Sequence, residues 1–254
     1  PMNFANTSNS GVDRSGTGSF GFYEGYNKGA SLRFFGTDLA WQSGIRFTQS
    51  NLSGAGFSNE RREQIFMTGG LMRRVDLGFQ FGVVFDYLYE DWYYRGDLLQ
   101  IRGELGWVRP NRDVFGLKFA AGLDDDSATT SVIDASGATI ENVIQFQATT
   151  QYRLFYRKQF SRYGEVDGFV GWTDKDDGLL GFEADIPISD SLLWNTTATY
   201  LIPNEGTGNG GNEEEGWNLA FGFTYRPCGL SGGSRYSRPL LKVADNGSFM
   251  VDRK

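Results

Sequence analysis

"LGFQFGVVFDYLYEDWYY", residues 77–94, decides the fold. In an extended chain successive side chains point to opposite faces. Leu77, Phe79, Phe81, Val83, Phe85, Tyr87 and Tyr89 therefore share one face, and Gly78, Gln80, Gly82, Val84, Asp86, Leu88 and Glu90 share the other. A soluble sandwich or barrel turns the aromatic face inward, whereas a membrane barrel turns it out to lipid.

The same two-faced pattern recurs between residues 19 and 226. Leu99, Ile101, Leu105 and Trp107 oppose Gln100, Arg102 and Glu104; Ile144, Phe146, Tyr152, Leu154 and Tyr156 oppose Gln145, Gln147 and Arg153; Trp217, Leu219, Phe221 and Phe223 oppose Asn218, Gly222 and Thr224. Turn signals between alternating segments predict twelve strands, near 19–26, 31–38, 45–50, 61–72, 77–90, 97–108, 114–123, 142–157, 164–173, 179–187, 192–202 and 216–226. Their links alternate in length. "AWQSG", "RRVD", "RPNRD", "KQFSRYGE" and "SDS" are short; "NLSGAGFSNE", "EDWYYRGD", "DDDSATTSVIDASGATIE", "TDKDDG" and "PNEGTGNGGNEEE" are long and mostly acidic. Arg73, Arg74, Arg109, Arg112, Arg157, Lys158 and Arg162 gather at the short links, so one rim reads as basic and the other as acidic.

Three features favour rings outward. The polar face carries many small residues, as a crowded interior does, where a soluble surface favours Lys and Glu. Trp41, Trp92, Tyr93, Tyr94, Trp107, Trp172, Trp194 and Trp217 cluster toward strand ends, where amphipathic rings meet lipid headgroups. Strands of about ten residues with short turns at one end and long loops at the other are the outer-membrane design. The expected fold is all-β: a transmembrane antiparallel up-and-down barrel over residues 19–226, after a flexible lead-in at 1–18 and before an extension at 227–254. Phe79, Phe81, Phe85, Tyr87, Leu99, Ile101, Trp107, Phe182, Trp194, Trp217, Phe221 and Phe223 are expected to face lipid. Arg33, Arg46, Asp86, Arg102, Glu104, Lys118, Arg153, Asp167, Glu183, Asp185 and Arg226 are expected to line the lumen, forming a transverse field if they separate and staples if they pair.

Composition removes other classes. The net charge of −7 and the absence of a basic run argue against a nucleic-acid partner. The chain has no histidine, which excludes Ser-His-Asp hydrolysis, His-paired cysteine catalysis and His-ligated zinc or iron. Cys228 is the sole cysteine and cannot form an internal disulfide; it reads as incidental. No apolar run approaches the roughly 18 residues of a spanning helix. "GTGSFG" at Gly16–Gly21 matches a dinucleotide fingerprint by spacing alone, without the strand and helix that give it meaning. The acidic groups Asp124–Asp126, Asp174, Asp176, Asp177 and Glu213–Glu215 lack a ligand-loop spacing and read as solvated loops. No cofactor, metal site or enzymatic activity is expected.

The segments "VDLGFQFGVVFDYLYEDWYYRGDLLQIRGELGW", "LLWNTTATYLIPNEG" and "RPLLKVADNGSFMVDRK" resemble an uncharacterised family of β-barrel proteins of planctomycete bacteria, a domain of unknown function. The resemblance covers most of the chain from about Gly29 onward and implies an outer-membrane-type barrel, with no catalytic residue to carry over. The extension departs from ordinary outer-membrane barrels, which end on an aromatic in the last strand. Its apolar "PLLKV" and "SFMV" suit a lumen plug, a cover under the basic rim, or docking to an envelope partner. The resulting expectation is a bacterial outer-membrane, porin-like passive channel contacting outer-membrane lipid and small hydrophilic solutes. The alternatives are a non-conducting envelope anchor that binds partners through its tail or acidic loops, and a soluble β-domain.

Overall fold

The alternation of residues 77–94 becomes a strand whose polar-side residues all lie inside: Gln80, Val84, Asp86, Leu88 and Glu90 are 0–3% exposed, while Phe85 is 54% exposed. The computed structural model describes residues 19–32, 38–51, 61–92, 95–133, 139–161, 163–204, 216–227, 229 and 235–253; side chains at 130–142 are not described. The lead-in at 1–18, Arg33 and Cys228 thus lie outside the described residues.

Eleven strands form one antiparallel wall. In sheet order they are β1 (Gly21–Ser31), β2 (Ala40–Ser50), β3 (Arg62–Arg73), β4 (Gly78–Asp91), β5 (Arg95–Val108), β6 (Asp113–Gly122), β9 (Gln151–Gln159), β10 (Glu165–Thr173), β11 (Gly178–Pro187), β12 (Leu192–Ile202) and β13 (Gly216–Tyr225). Between β6 and β9 the chain leaves the wall for a hairpin, β7 (Asp125–Ile133) and β8 (Thr139–Ala148). A last short strand, β14 (Val251–Arg253), pairs with β8 to make a three-stranded inner sheet.

The links alternate between two ends, but not by length as expected, since 92–94 and 174–177 are no longer than the short turns. The short-turn end holds 32–39, 74–77, 109–112, 160–164 and 188–191; the long-loop end holds 51–61, 92–94, the excursion 123–150, 174–177 and 203–215. Gly78 closes one short turn at φ 90°, a conformation glycine adopts without steric cost.

Four expectations need correction. The wall has eleven strands among the described residues, not twelve. A single strand, β1 (Gly21–Ser31), covers most of the strand read at 19–26 and ends where the one read at 31–38 begins, whose residues 33–37 lie outside the described residues; "AWQSG" is no turn but the start of β2. The strand read at 142–157 breaks at Thr149, whose N–H donates to the Met250 carbonyl (2.9 Å), so β8 belongs to the inner sheet and β9 to the wall. The "DDDSATTSVIDASGATIE" loop is largely the β7–β8 hairpin. It carries Phe146 inward to pack with Phe66, Leu88, Leu98 and Phe249, with Ile144 against the same cluster, where a lipid-facing place was expected for both.

The wall is inside out relative to a soluble domain. Phe79, Phe85, Trp107, Phe182, Trp217, Phe221 and Phe223 are 42–70% exposed. Phe81, Tyr87, Leu99, Ile101 and Trp194 lie on the same outer face, half-buried among neighbouring rings such as Phe79 on Phe81 and Trp194 on Phe221. The wall curls until its edges meet: the Tyr23 phenol of β1 lies against Gly222 of β13, where a larger residue would collide with it. β1 and β13 are nevertheless not hydrogen-bonded neighbours.

Candidate functional site

The lumen is occupied by the chain itself. After β13 ends at the short-turn end, a 3-10 turn at Arg235–Ser237 leads into a segment that runs lengthwise inside the wall. At the short-turn end Arg238 pairs with Glu165 (2.6 Å), which also pairs with Arg74 (3.2 Å). Burial pushes the Arg74 guanidinium down to about 10, an effect the adjacent Arg238 adds to and Glu165 opposes. At the far end Val251–Arg253 pair with Phe146–Ala148, and Asp252 meets Lys175 of the 174–177 link at 3.0 Å.

Between these ends the segment's regular structure is a single turn at Asp245–Phe249, where Phe249 N–H donates to the Asp245 carbonyl (2.7 Å), so its other backbone groups need partners from elsewhere. Inward side chains of the wall supply them. Gln42 accepts from the N–H groups of Leu240 and Leu241 (3.1 and 3.2 Å) and donates to the Leu241 carbonyl (2.9 Å). Arg102 donates to the Lys242 carbonyl (2.7 Å), Thr68 accepts from the Ala244 N–H (3.0 Å), and Arg153 donates to the Gly247 carbonyl (2.6 Å). The Gln100 and Gln151 amides both point at the Ser248 carbonyl, each at 3.4 Å. The segment's apolar side chains fill the gaps: Leu240 packs on Ala40 and Met72, Met250 on Leu179 and Leu201, and Phe249 against Phe66 at 6.2 Å between ring centres.

The lumen charges form a connected series. Arg157 donates two bonds to Glu104 (2.9 and 2.7 Å) and two to Asp167 (3.0 and 2.8 Å). Lys118 joins Asp167 (2.9 Å) to Glu183 (3.4 Å), and Lys242 of the threaded segment joins Glu183 (3.6 Å) to Asp185 (2.7 Å). Asn195 donates to Asp185 (2.7 Å) and carries the series toward β13. A second cluster holds Asp86 between Arg102 (2.8 and 3.0 Å), Thr68 (2.6 Å) and Gln100 (3.0 Å). Arg46 reaches Asp245 of the segment at 3.2 Å. Opposite charges therefore pair as staples and do not divide into two walls. Charge-assisted bonds of this kind are the stronger class, and where both partners are buried, as for Arg157 with Glu104 and Arg102 with Asp86, the pair leaves no ion uncompensated.

Of the expected lumen residues, Arg46, Asp86, Arg102, Glu104, Lys118, Arg153, Asp167, Glu183 and Asp185 all point inward and join these clusters. Arg226 departs from expectation. It follows the last residue of β13, bonds Ser191 through its backbone, and stacks over Tyr163 at the short-turn rim (5.3 Å), not in the lumen.

A model described as a family of unknown function (DUF6666) matches residues 1–251. The chain belongs to that family. No curated protein matches it. Among solved structures, the β domain of the Bordetella autotransporter BrkA is similar over 82% of this chain and 90% of that one, at 12% identity and a TM-score of 0.47.

The sequence reading missed the residues that matter most to the threaded segment. Arg157 was expected at a basic turn, yet it sits inward at 4% exposure and bridges two acids. The signal lies in its even, four-residue spacing from Arg153, which puts both on one face of β9. Arg74 and Glu165 were missed because their pairing needs a turn, a strand end and the tail to converge. Gln42, Gln64 and Thr68 were legible only as polar alternation. Asp124 and Asp126, read as solvated, accept from the backbone N–H groups of Leu99 (2.5 Å) and Asp97 (2.9 Å) and so dock the hairpin to β5.

Proposed function

We propose that this chain is a bacterial outer-membrane β-barrel closed at rest by its own C-terminal segment, and that it passes small hydrophilic solutes when that segment leaves the lumen. The rings on the outer face support lipid contact, because only a sheet with satisfied backbone can cross a bilayer and an aromatic exterior suits hydrocarbon and interface. The observation that carries the closed state is the bonding of the segment's backbone by wall side chains over residues 240–248. The polar inner face bonds a polypeptide where alternation alone suggests a lining for water. An open aqueous channel leaves its lining wet, whereas Asp86, Glu104, Gln100 and Gln151 are 0% exposed. No enzymatic role is assigned.

The second reading is a non-conducting envelope anchor, favoured by the burial of Asp86, Glu104 and Arg157. In this reading a partner meets the short-turn rim around Arg226 and Tyr236.

Single-channel recording in planar bilayers tests the first reading. The full chain is expected to be mostly silent. Lys242→Glu, which sets a negative charge against Glu183 and Asp185, is expected to open intermittently, and a chain lacking residues 227–254 to conduct persistently. A full chain as conductive as the deletion overturns closure by the segment. A deletion variant that keeps its heat-dependent gel shift yet stays silent overturns the channel and leaves the anchor. Purification without detergent overturns both.

A further inference from the structure

The seam between β1 and β13 is the weak place in the wall. Among the described residues no ladder joins these two edge strands. Parting any other neighbours in the wall breaks a row of backbone hydrogen bonds, whereas parting these breaks none. The packing beside the seam is also loose. Outward rings there are more exposed than those in the middle of the wall: Phe22 at 64%, Tyr26 at 63%, Phe223 at 70% and Tyr225 at 69%, against 45% and 54% for Phe79 and Phe85. Ten buried side-chain polar atoms have no hydrogen-bond partner among the described residues, and seven of them belong to Asn27, Arg46, Thr48, Ser50, Thr196, Thr197 and Arg226, on or next to the strands that flank the seam.

The threaded segment bridges this seam from inside, and its anchors over residues 241–247 fall alternately on the two sides. The Leu241 carbonyl accepts from Asn27 of β1 (3.3 Å). Lys242 crosses to Asp185 of β11 (2.7 Å). Asp245 returns to Arg46 of β2 (3.2 Å), whose guanidinium lies over the Tyr23 ring of β1 at 3.8 Å. Gly247 then lies against Thr199 of β12 and Asn218 of β13, where a larger residue would collide with both. On that second side Asn195 donates to Asp185 (2.7 Å) and accepts from the Thr224 hydroxyl of β13 (2.5 Å), which ties the Lys242 anchor to the edge strand. The anchors are several but individually light, since the Lys242 side chain is 38% exposed and a solvent-reached ion pair is screened.

We propose that the segment is the clasp of the barrel: it holds β1 to β13 across a seam without a ladder, and its withdrawal lets the wall part there, opening the lumen sideways toward the lipid as well as along its axis. Edge N–H and C=O groups turned to hydrocarbon are costly, so the seam closes again when the segment returns. The rest of the wall keeps its ladders and its dry ion pairs and does not widen. The inference rests on the reading that the segment can leave the lumen, but not on what the lumen conducts.

Pulsed dipolar spectroscopy between two spin labels tests it in the full chain carrying Cys228→Ser, reconstituted in vesicles. The seam pair is Phe47→Cys on β2 with Phe182→Cys on β11; the control pair is Met67→Cys on β3 with Tyr156→Cys on β9. Both pairs lie four strand-to-strand steps apart and replace outward side chains that are 42–51% exposed. The otherwise unaltered chain is expected to give a single distance for each pair. With Lys242→Glu the seam pair is expected to gain a second, longer distance, and with residues 227–254 removed that distance is expected to dominate, while the control pair keeps its single one. Adding Asp185→Lys to Lys242→Glu rebuilds the ion pair with its charges exchanged and is expected to remove the longer distance. A seam pair unchanged in both variants overturns the clasp, and if those variants conduct, the channel reading stands without it. Equal lengthening of both pairs also overturns it, because the segment would then support the whole barrel and not the seam. A lengthened seam pair in a chain that stays electrically silent upholds the clasp and removes the channel reading instead.

Discussion

The wall from β3 to β10 and the wall from β11 round to β2 enclose the same segment differently. On the first side Asp86 and Glu104 are fully buried and Arg62, Arg157 and Asp167 are 3–4% exposed. On the second, the side chains of Lys242 and Glu183 are 38% and 28% exposed, and those of Arg46 and Asp245 are 15% and 14%. The charges are of the same kinds and at similar distances. What differs is solvent, and solvent decides what an ion pair is worth: a desolvated pair is costly to break, while a wet one is screened and exchanges readily. The first side thus holds the fold and the second is where the segment can let go.

The largest expected effect comes from breaking the dry side. Arg157→Met removes four bonds at once, takes from buried Glu104 its paired cation and leaves Asp167 with Lys118 alone. Leaving buried charge uncompensated costs about 3–5 kcal/mol, read as a lower urea midpoint for loss of the compact gel form. Adding Glu104→Leu and Asp167→Leu should return much of that loss, since apolar replacement of a whole buried ionic group is often tolerated. If Arg157→Met alone leaves the midpoint unchanged, the two sides do not differ as described.

Next in size is a charge placed on the outer face. Phe85→Arg, in the middle of β4 on the dry side, is expected to cost about 2–4 kcal/mol in a bilayer, while Phe223→Arg, near the short-turn end of β13, costs about 0–1 kcal/mol. Equilibrium unfolding from vesicles gives both numbers. Equal costs would mean that the outer face meets no hydrocarbon gradient.

The outer face was legible in the sequence because period-two alternation needs no tertiary knowledge: once Phe79, Phe81 and Phe85 share a side, Gln80 and Asp86 must share the other. Asp86, Glu104 and Asp167 are buried on the inner face as that rule places them, while Arg33 lies outside the described residues. The contents of the lumen did not follow, since alternation says that a face is polar and not what it bonds. Thr68 and Gln42 look the same whether they bind water or the backbone of residues 240–244. The β7–β8 hairpin was illegible for a related reason. "SATTSVIDASGATIE" has few large apolar residues, and Phe146, which draws the hairpin inward, lies in a run that continues the alternation of β9 across Thr149. Arg226 was misplaced by a single residue of strand length, enough to move it from lumen to rim.

The smallest effects separate the wet side of the lumen from the true surface. Lys242→Met removes an ion pair with Asp185 at 2.7 Å whose lysine is 38% exposed. Screening by solvent limits its worth to about 1 kcal/mol or less, so the unfolding midpoint should hardly move, yet the segment loses its only cation between two wall acids. The expected readout is kinetic: faster cleavage of residues 240–250 by added protease, and more frequent channel openings. Raising salt to 1 M, where the Debye length is about 3 Å, should bring the unaltered protein toward the same behaviour. Arg95→Ala is the control, since Arg95 pairs with Asp91 at 3.0 Å with 77% of its side chain exposed; it should change neither stability nor openings. Were Lys242→Met as inert as Arg95→Ala in both readouts, the wet side would be no more able to release the segment than the dry one, and the gate would have to be sought at the Arg238–Glu165 end.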